Sequence, residues 1–204
     1  MDAAMKKLQQ QPKSRRAQQG FTLVEVMISA AIVLIGLLAV LASFATAVAS
    51  TKFSQEDMIA KQKALEALES IFTARNTQQI VWAQVGNVAS GGIFKDGYQP
   101  LLSAGIDGLL GTADDVNFPA QGPCPAGPEC IPLPGPDGIL GTADDTTMVL
   151  GNYQRQILIQ PVLEADGVTV NPNLKQITIN VQYTRSQSMG PRTYTVNALI
   201  SAFR

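Results

Sequence analysis

The sequence predicts an α+β protein in which one long amino-terminal helix packs on an antiparallel sheet. Three observations predict it. Val26–Thr51 contains no charged residue, proline or asparagine. Residues 52–75 place Met58, Leu65, Leu68, Ile71 and Phe72 at helical spacing, with charged side chains between them, the pattern of an amphipathic helix that needs something to cover. Residues 148–204 alternate apolar and polar positions, as in a sheet with one face on a helix and one in water.

The uncharged stretch is 26 residues long. As a helix it reaches about 39 Å at ~1.5 Å per residue, more than the ~30 Å hydrocarbon core of a membrane, so it tilts or continues beyond the lipid. Small residues line it: Ser29, Ala30, Ala31, Gly36, Ala39, Ala42 and Ser43. Such residues let neighbouring helices approach closely. One acid, Glu25, stands at its head. A carboxylate in hydrocarbon is costly unless partnered, so Glu25 predicts a partner. Lys6, Lys7, Lys13, Arg15 and Arg16 precede the span and hold that side in the cytoplasm.

Beyond the span, Lys52 and Glu56, and Lys63 and Glu66, are spaced for weak helical ion pairs. Asn76-Thr77 ends the pattern. Ile80-Val81-Trp82 reads as a last turn or a short strand, and Trp82 and Phe94 anchor a packed loop. Between 105 and 145 lies a duplication. Gly105-Ile-Asp-Gly-Leu-Leu-Gly-Thr-Ala-Asp-Asp115 recurs 30 residues later as Gly135-Pro-Asp-Gly-Ile-Leu-Gly-Thr-Ala-Asp-Asp145. Calcium takes about six to eight oxygen ligands on a tightly turning chain, and Asp107, Asp114, Asp115, Asp137, Asp144 and Asp145 suit it. The same residues suit solvated Asp-Gly turns ending in a cap or a β-turn, and both readings stand. In the last segment, Tyr153, Ile157 and Ile159 open a first strand, Ile177, Ile179, Val181 and Tyr183 a second, and Tyr194, Val196, Ala198, Ile200 and Ala202 a third. Asp166-Gly167, Asn171-Pro172-Asn173 and Gly190-Pro191 mark the connections.

Gly20-Phe21-Thr22-Leu23-Val24-Glu25, preceded by basic residues and followed by an apolar helix, resembles the class III signal shared by type IV prepilins and type II secretion pseudopilins. The resemblance implies the type IV pilin-like fold. It divides the chain into a leader (1–20), a transmembrane and fibre-core helix (21–51) and a periplasmic head (52–204). The head comprises the helix 52–75, a variable region 76–147 and the sheet 148–204. A prepilin peptidase would cut between Gly20 and Phe21 and methylate the new Phe21 amine. Glu25 would meet that amine on a neighbouring subunit. The partners implied are other pilins, the peptidase and N-methyltransferase, and the inner membrane. The protein would cross that membrane once, with its amino terminus in the cytoplasm, and then enter a surface fibre. Pro is absent between Pro12 and Pro100, and Ile35-Gly36-Leu37-Leu38 stands mid-helix. This looks like the minor pilins of the PilV type and implies roles in assembly or priming, twitching and adhesion.

A secretion pseudopilin and a ligand- or DNA-binding minor pilin remain alternatives. An uncut signal anchor is another. A secretory signal ending at Ala47-Val48-Ala49 is opposed by the length of the apolar run, since such regions span ~7–15 residues. Without the leader's five basic residues and Asp2, the 15 basic and 16 acidic side chains become 10 and 15, a formal charge of −5. That opposes a basic nucleic-acid groove, and no nucleic acid is expected. The chain has no His to serve as a general base, and no enzyme is expected. In an exported head, Cys124 and Cys130, separated by Pro- and Gly-containing chain, are expected to form a disulfide. A metal pair is the alternative, and no cofactor other than calcium is implied.

Overall fold

The computed structural model of the chain describes residues 20–184 and 190–203. The basic leader lies outside the described residues. The chain divides into two units, Met1–Ala49 and Ser50–Arg204, and helix α1 (Leu23–Asn76) contributes to both.

Among the described residues of the first unit, nothing covers the helix. Its most apolar 18-residue window has a mean hydropathy of 2.7, and none of it is buried by the rest of the chain. The hydroxyls of Ser29, Ser43 and Thr46 donate to the carbonyls of Val26, Ala39 and Ser43 at 2.9–3.0 Å. They therefore carry no unmet hydrogen bond into an apolar medium.

The second unit is a helix on a sheet, the α+β arrangement predicted. The helix meets it through Ala60, Ala64, Ala67, Ile71 and Ala74, all buried. Their spacing of four, three, four and three keeps one face toward the sheet. The expectation that Met58 and Leu65 share this face is wrong, because both are exposed. Leu68 and Phe72 are partly buried against the core. Alanine fills the line of closest approach, so bulkier side chains are displaced to the flanks or to solvent.

The sheet consists of β1 (Gln99–Pro100), β4 (Tyr153–Leu163), β5 (Val170–Tyr183) and β6 (Arg192–Ser201), all antiparallel and in the order β1-β4-β5-β6. Its inner face supplies Tyr153, Ile157, Ile159, Ile177, Ile179, Val181 and Tyr183 to the core. Its outer face carries hydrogen-bonded polar pairs, Thr178–Asn197 and Thr195–Asn180 at 2.7 Å. Tyr153 and Tyr183 stack with ring centres 5.1 Å apart. Tyr183 donates to Asp57 of the helix, and Arg192 pairs with Asp57 at 3.1 Å. Burial, with Glu56 nearby, pushes the Tyr153 hydroxyl above the usual tyrosine range.

Asn171-Pro172-Asn173 is not the predicted turn. These residues belong to β5, where the register with β4 breaks between Pro161 and Leu163. That irregularity leaves Pro172 where its missing N–H is not required by the ladder. The turn lies before it, where Asp166 accepts from the N–H groups of Val168 and Thr169 at 2.9 and 2.8 Å.

The middle of the chain is ordered by small pairings. Trp82–Gln84 forms a 3-10 turn. Trp82 donates to Pro172 O at 2.9 Å beneath the Lys175 ammonium, 4.7 Å from its ring centre, and Phe94 is wholly buried. β2 (Cys130–Leu133) pairs with β3 (Thr146–Val149), ending on Leu133 opposite Thr146. Thirty residues earlier an isolated bridge joins Ser103 to Val116. The duplication is thus structural: each copy is a long hairpin loop closed by an antiparallel pair at equivalent positions.

Glycine opens both copies for a steric reason. A Cβ on Gly105 or on Gly135 would lie 2.3 Å from the carbonyl oxygen of Asp114 or Asp144. Gly105→Ala should cost about 2–3 kcal/mol, because the first copy holds core residues and cannot relax freely. Gly135→Ala should cost under about 1 kcal/mol, because its loop opens into solvent. Thermal unfolding followed by circular dichroism checks this, and equal losses would contradict it.

Candidate functional site

The amino-terminal junction begins with three residues ahead of the helix. Gly20, Phe21 and Thr22 are non-helical and exposed. Gly20 has no positive φ, and a Cβ there would meet nothing within 4 Å. Among the described residues, neither backbone conformation nor packing requires glycine at this position. Thr22 then caps the helix. The Glu25 carboxylate accepts from the Thr22 N–H at 2.9 Å and from its hydroxyl at 3.0 Å. The Glu25 N–H donates back to the Thr22 hydroxyl at 3.3 Å. This is a reciprocal capping box, which satisfies helix-terminal donors and places negative charge where the helix dipole favours it.

Glu25 therefore has a partner within its own chain, a role that sequence reading missed. The signal was present in the Thr-x-x-Glu spacing immediately before an apolar run. The carboxylate also lies four positions from Phe21, whose amine a cut after Gly20 would free.

The six aspartates fold the repeats. In the first copy, Asp107 accepts from Leu109 N at 2.8 Å and Asp114 from Asp107 N at 3.1 Å. Asp115 accepts from Gly111 N at 2.8 Å, and Thr112 donates to Asp114 at 2.7 Å. The second copy repeats this set at Asp137, Asp144, Asp145 and Thr142, with distances of 2.6–3.3 Å. Hydrogen bonds from Thr112 and Thr142 hold Asp114 and Asp144 below the usual carboxylate range. Among the described residues no three acidic, His or Cys side chains gather as a metal cage. The carboxylates close turns.

Cys124 and Cys130 are joined by a disulfide, with their Cα atoms 5.8 Å apart. The adjacent Glu129 ties this loop to the core. Its N–H donates to Leu101 O at 2.9 Å, its carbonyl accepts from Leu150 N at 2.7 Å, and its carboxylate takes Lys63 of the helix. Lys63 also pairs with Glu66 at 2.8 Å. Burial lowers the Lys63 ammonium, but its bonds to Glu129 and Glu66 more than offset that and hold it above its ordinary value.

A further buried polar residue escaped sequence reading. The Asn87 amide donates to Ile157 O at 2.7 Å and accepts from Ile159 N at 2.8 Å. It thereby continues, with a side chain, the edge that β1 covers only at Arg155 and Gln154. Its position among turn-forming residues gave no sign of this.

Residues 15–41 match the prokaryotic N-terminal methylation motif. No curated protein and no solved structure matches the chain. The motif at its head, with a long helix packed on an antiparallel sheet, supports a type IV pilin-like protein. The motif implies processing by a prepilin peptidase and assembly with other pilins in a pilus or pseudopilus. Together with the apolar helix it supports membrane anchoring before assembly. Proteins that carry it are structural rather than enzymatic.

Proposed function

We propose that the chain is a minor pilin of a type IV pilus, cut after Gly20 and methylated on the Phe21 amine. It joins the fibre through its helix and contributes to assembly or priming and so to twitching and adhesion. The observation that carries this reading is the pairing of Gly20, a glycine with no conformational or steric duty, with a helix left bare from its first turn. Both features suit contacts with other molecules, a peptidase at the junction and neighbouring helices along the span. Gly36 supports it. An interior helix glycine costs roughly 1 kcal/mol, its Cβ position meets nothing outside its own helix, and close helix approach is what such a residue allows. On assembly Glu25 would exchange its Thr22 hydrogen bonds for a neighbour's Phe21 ammonium, which aligns the incoming helix and removes an uncompensated charge.

The experiment is deletion of the gene, complemented with wild type or with Glu25→Ala, scored for twitching and for exoprotein release. Loss of twitching with normal release is expected, and the Glu25→Ala chain should stay in the membrane while its incorporation into sheared fibres falls. Loss of release with normal twitching would make the protein a type II secretion pseudopilin instead. Normal incorporation of Glu25→Ala would remove Glu25 from the mechanism.

A further inference from the structure

Helix α1 ends on a position that glycine usually holds. The Gln78 N–H donates to Arg75 O at 3.3 Å and the Gln79 N–H to Ala74 O at 2.9 Å, the paired bonds of a Schellman motif. Gln78 stands at its left-handed position with φ 64° and is the one non-glycine residue with a positive φ among the described residues. Glycine enters that region freely, whereas a side chain is kept there at a cost. Strain of this kind gathers at ligand clamps, and Gln78 lines a cleft. With Arg75, Ile80, Val81, Trp82 and Ala202 it encloses about 330 Å³, within the ~300–1,000 Å³ of small-ligand sites.

The cleft is cationic. None of its lining residues is acidic, and among the described residues Arg75 forms no ion pair. Arg75 donates to neutral acceptors, the carbonyls of Ser201 and Phe203 and, at 2.9 Å, the Asn76 amide oxygen. A guanidinium carries five N–H donors, so two remain. Its full charge exceeds the roughly half negative charge of a helix carboxyl end. Behind Trp82, Lys175 is held in the same way, by the Trp82 and Val85 carbonyls and the indole face. Carbonyls satisfy the donors of these two cations without cancelling their charge. Trp82 and Val81, the latter 61% exposed, supply an apolar wall.

We propose that this cleft binds a sugar ring bearing one carboxylate, displayed on a surface glycan. The remaining Arg75 N–H groups take the carboxylate, the Gln78 amide takes a ring hydroxyl, and the C–H face of the ring lies on Trp82 and Val81. A single guanidinium in the cleft suits a single carboxylate. A nucleic-acid strand needs a track of cations, and a chain of formal charge −5 without its leader repels it. The site stands on the head alone, and its use in adhesion rests on the fibre-subunit reading above.

The test is ligand-observed saturation-transfer NMR on the full-length chain in detergent. The probes are the methyl glycosides of glucuronic and galacturonic acid, methyl glucoside, acetate and single-stranded DNA. One or both uronides should bind with a Kd on the order of 1 mM, and the glucoside and acetate at least ~10-fold more weakly. Gln78→Gly should weaken uronide binding at least ~3-fold while the melting temperature holds or rises, a combination that a purely structural Gln78 does not produce. Arg75→Lys, which keeps the charge and loses the planar fork, should weaken it at least ~10-fold. Binding of neither uronide, equal binding of the glucoside or of acetate, tighter binding of DNA, or wild-type binding by Gln78→Gly would each overturn the proposal. If a uronide binds as expected and the chain is missing from sheared fibres, the site stands and the fibre-subunit reading fails. If the chain is in the fibres and binds neither uronide, the site alone fails.

Discussion

A Gly20→Val chain is expected to fold and enter the membrane normally yet keep its leader. Among the described residues the new side chain has room: position 20 has an ordinary φ, is exposed, and places no atom within 4 Å of an added Cβ. Substitutions at such surface positions usually change stability by less than about 0.5 kcal/mol, so the melting temperature should not move. A peptidase must bring the Gly20–Phe21 peptide bond against its catalytic groups. A β-branched side chain at the bond obstructs that approach, and steric exclusion from a fitted pocket discriminates by roughly 10- to 200-fold. The processed fraction should therefore fall at least ~10-fold at constant expression. Gly20→Ala, which adds one methyl group, should be intermediate. Normal processing of Gly20→Val would show that this glycine is not read.

The second large effect is at Asn87. Asn87→Asp preserves shape and removes the donor that faces Ile157 O, with Phe94 O and Lys95 O at 3.5 Å beyond it. An ionised carboxylate there meets carbonyl oxygens in a buried site, whereas the protonated acid can still donate. The folded state therefore raises this group's pKa above its unfolded value of ~3.9. With a raised folded pKa, the stabilising contribution is complete below ~3.9 and is lost as pH rises through the folded value. The deficit relative to wild type should be about 3–5 kcal/mol near neutral pH and shrink to about 1 kcal/mol near pH ~4. Asn87→Ala orphans Ile157 O and Ile159 N and should lose about 2–4 kcal/mol with no such pH dependence. Urea unfolding of the full-length chain in detergent at both pH values checks this. An Asn87→Asp deficit that is the same at both would show that the side chain does not make these bonds.

The parts of this protein that were legible in the sequence are those in which one physical demand sets the residue pattern. An uncovered helix must be apolar all round, and Val26–Thr51 is. A sheet with one wet face must alternate, and β4, β5 and β6 do. The Gly20–Glu25 stretch was legible for another reason: it lies in a motif that implies processing by a prepilin peptidase, and such a motif shows in residue types rather than in fold. The helix face was misread because Met58 and Leu65 are the more hydrophobic residues, whereas closeness to the sheet selects Ala60, Ala64 and Ala67. Asn171-Pro172-Asn173 has the composition of a turn, but a register break lets β5 carry it. The repeats showed their period but not their roles. Nothing local to Leu109-Leu110 and Ile139-Leu140 says that the first pair is buried and the second exposed, because that difference lies in the surroundings. Asn87 was illegible for the same reason, since its partners are 70 and 72 residues away in β4.

The central claim, that the chain is a processed fibre subunit, is tested most directly by the intact mass of the protein recovered from membranes and from sheared fibres. The account predicts a chain that begins at Phe21 and carries one added methyl group, present in the fibre fraction, and lighter by two hydrogens than its reduced form because Cys124 and Cys130 are joined. A mass that still includes residues 1–20, found only in membranes, would make the protein an anchored head and contradict the account.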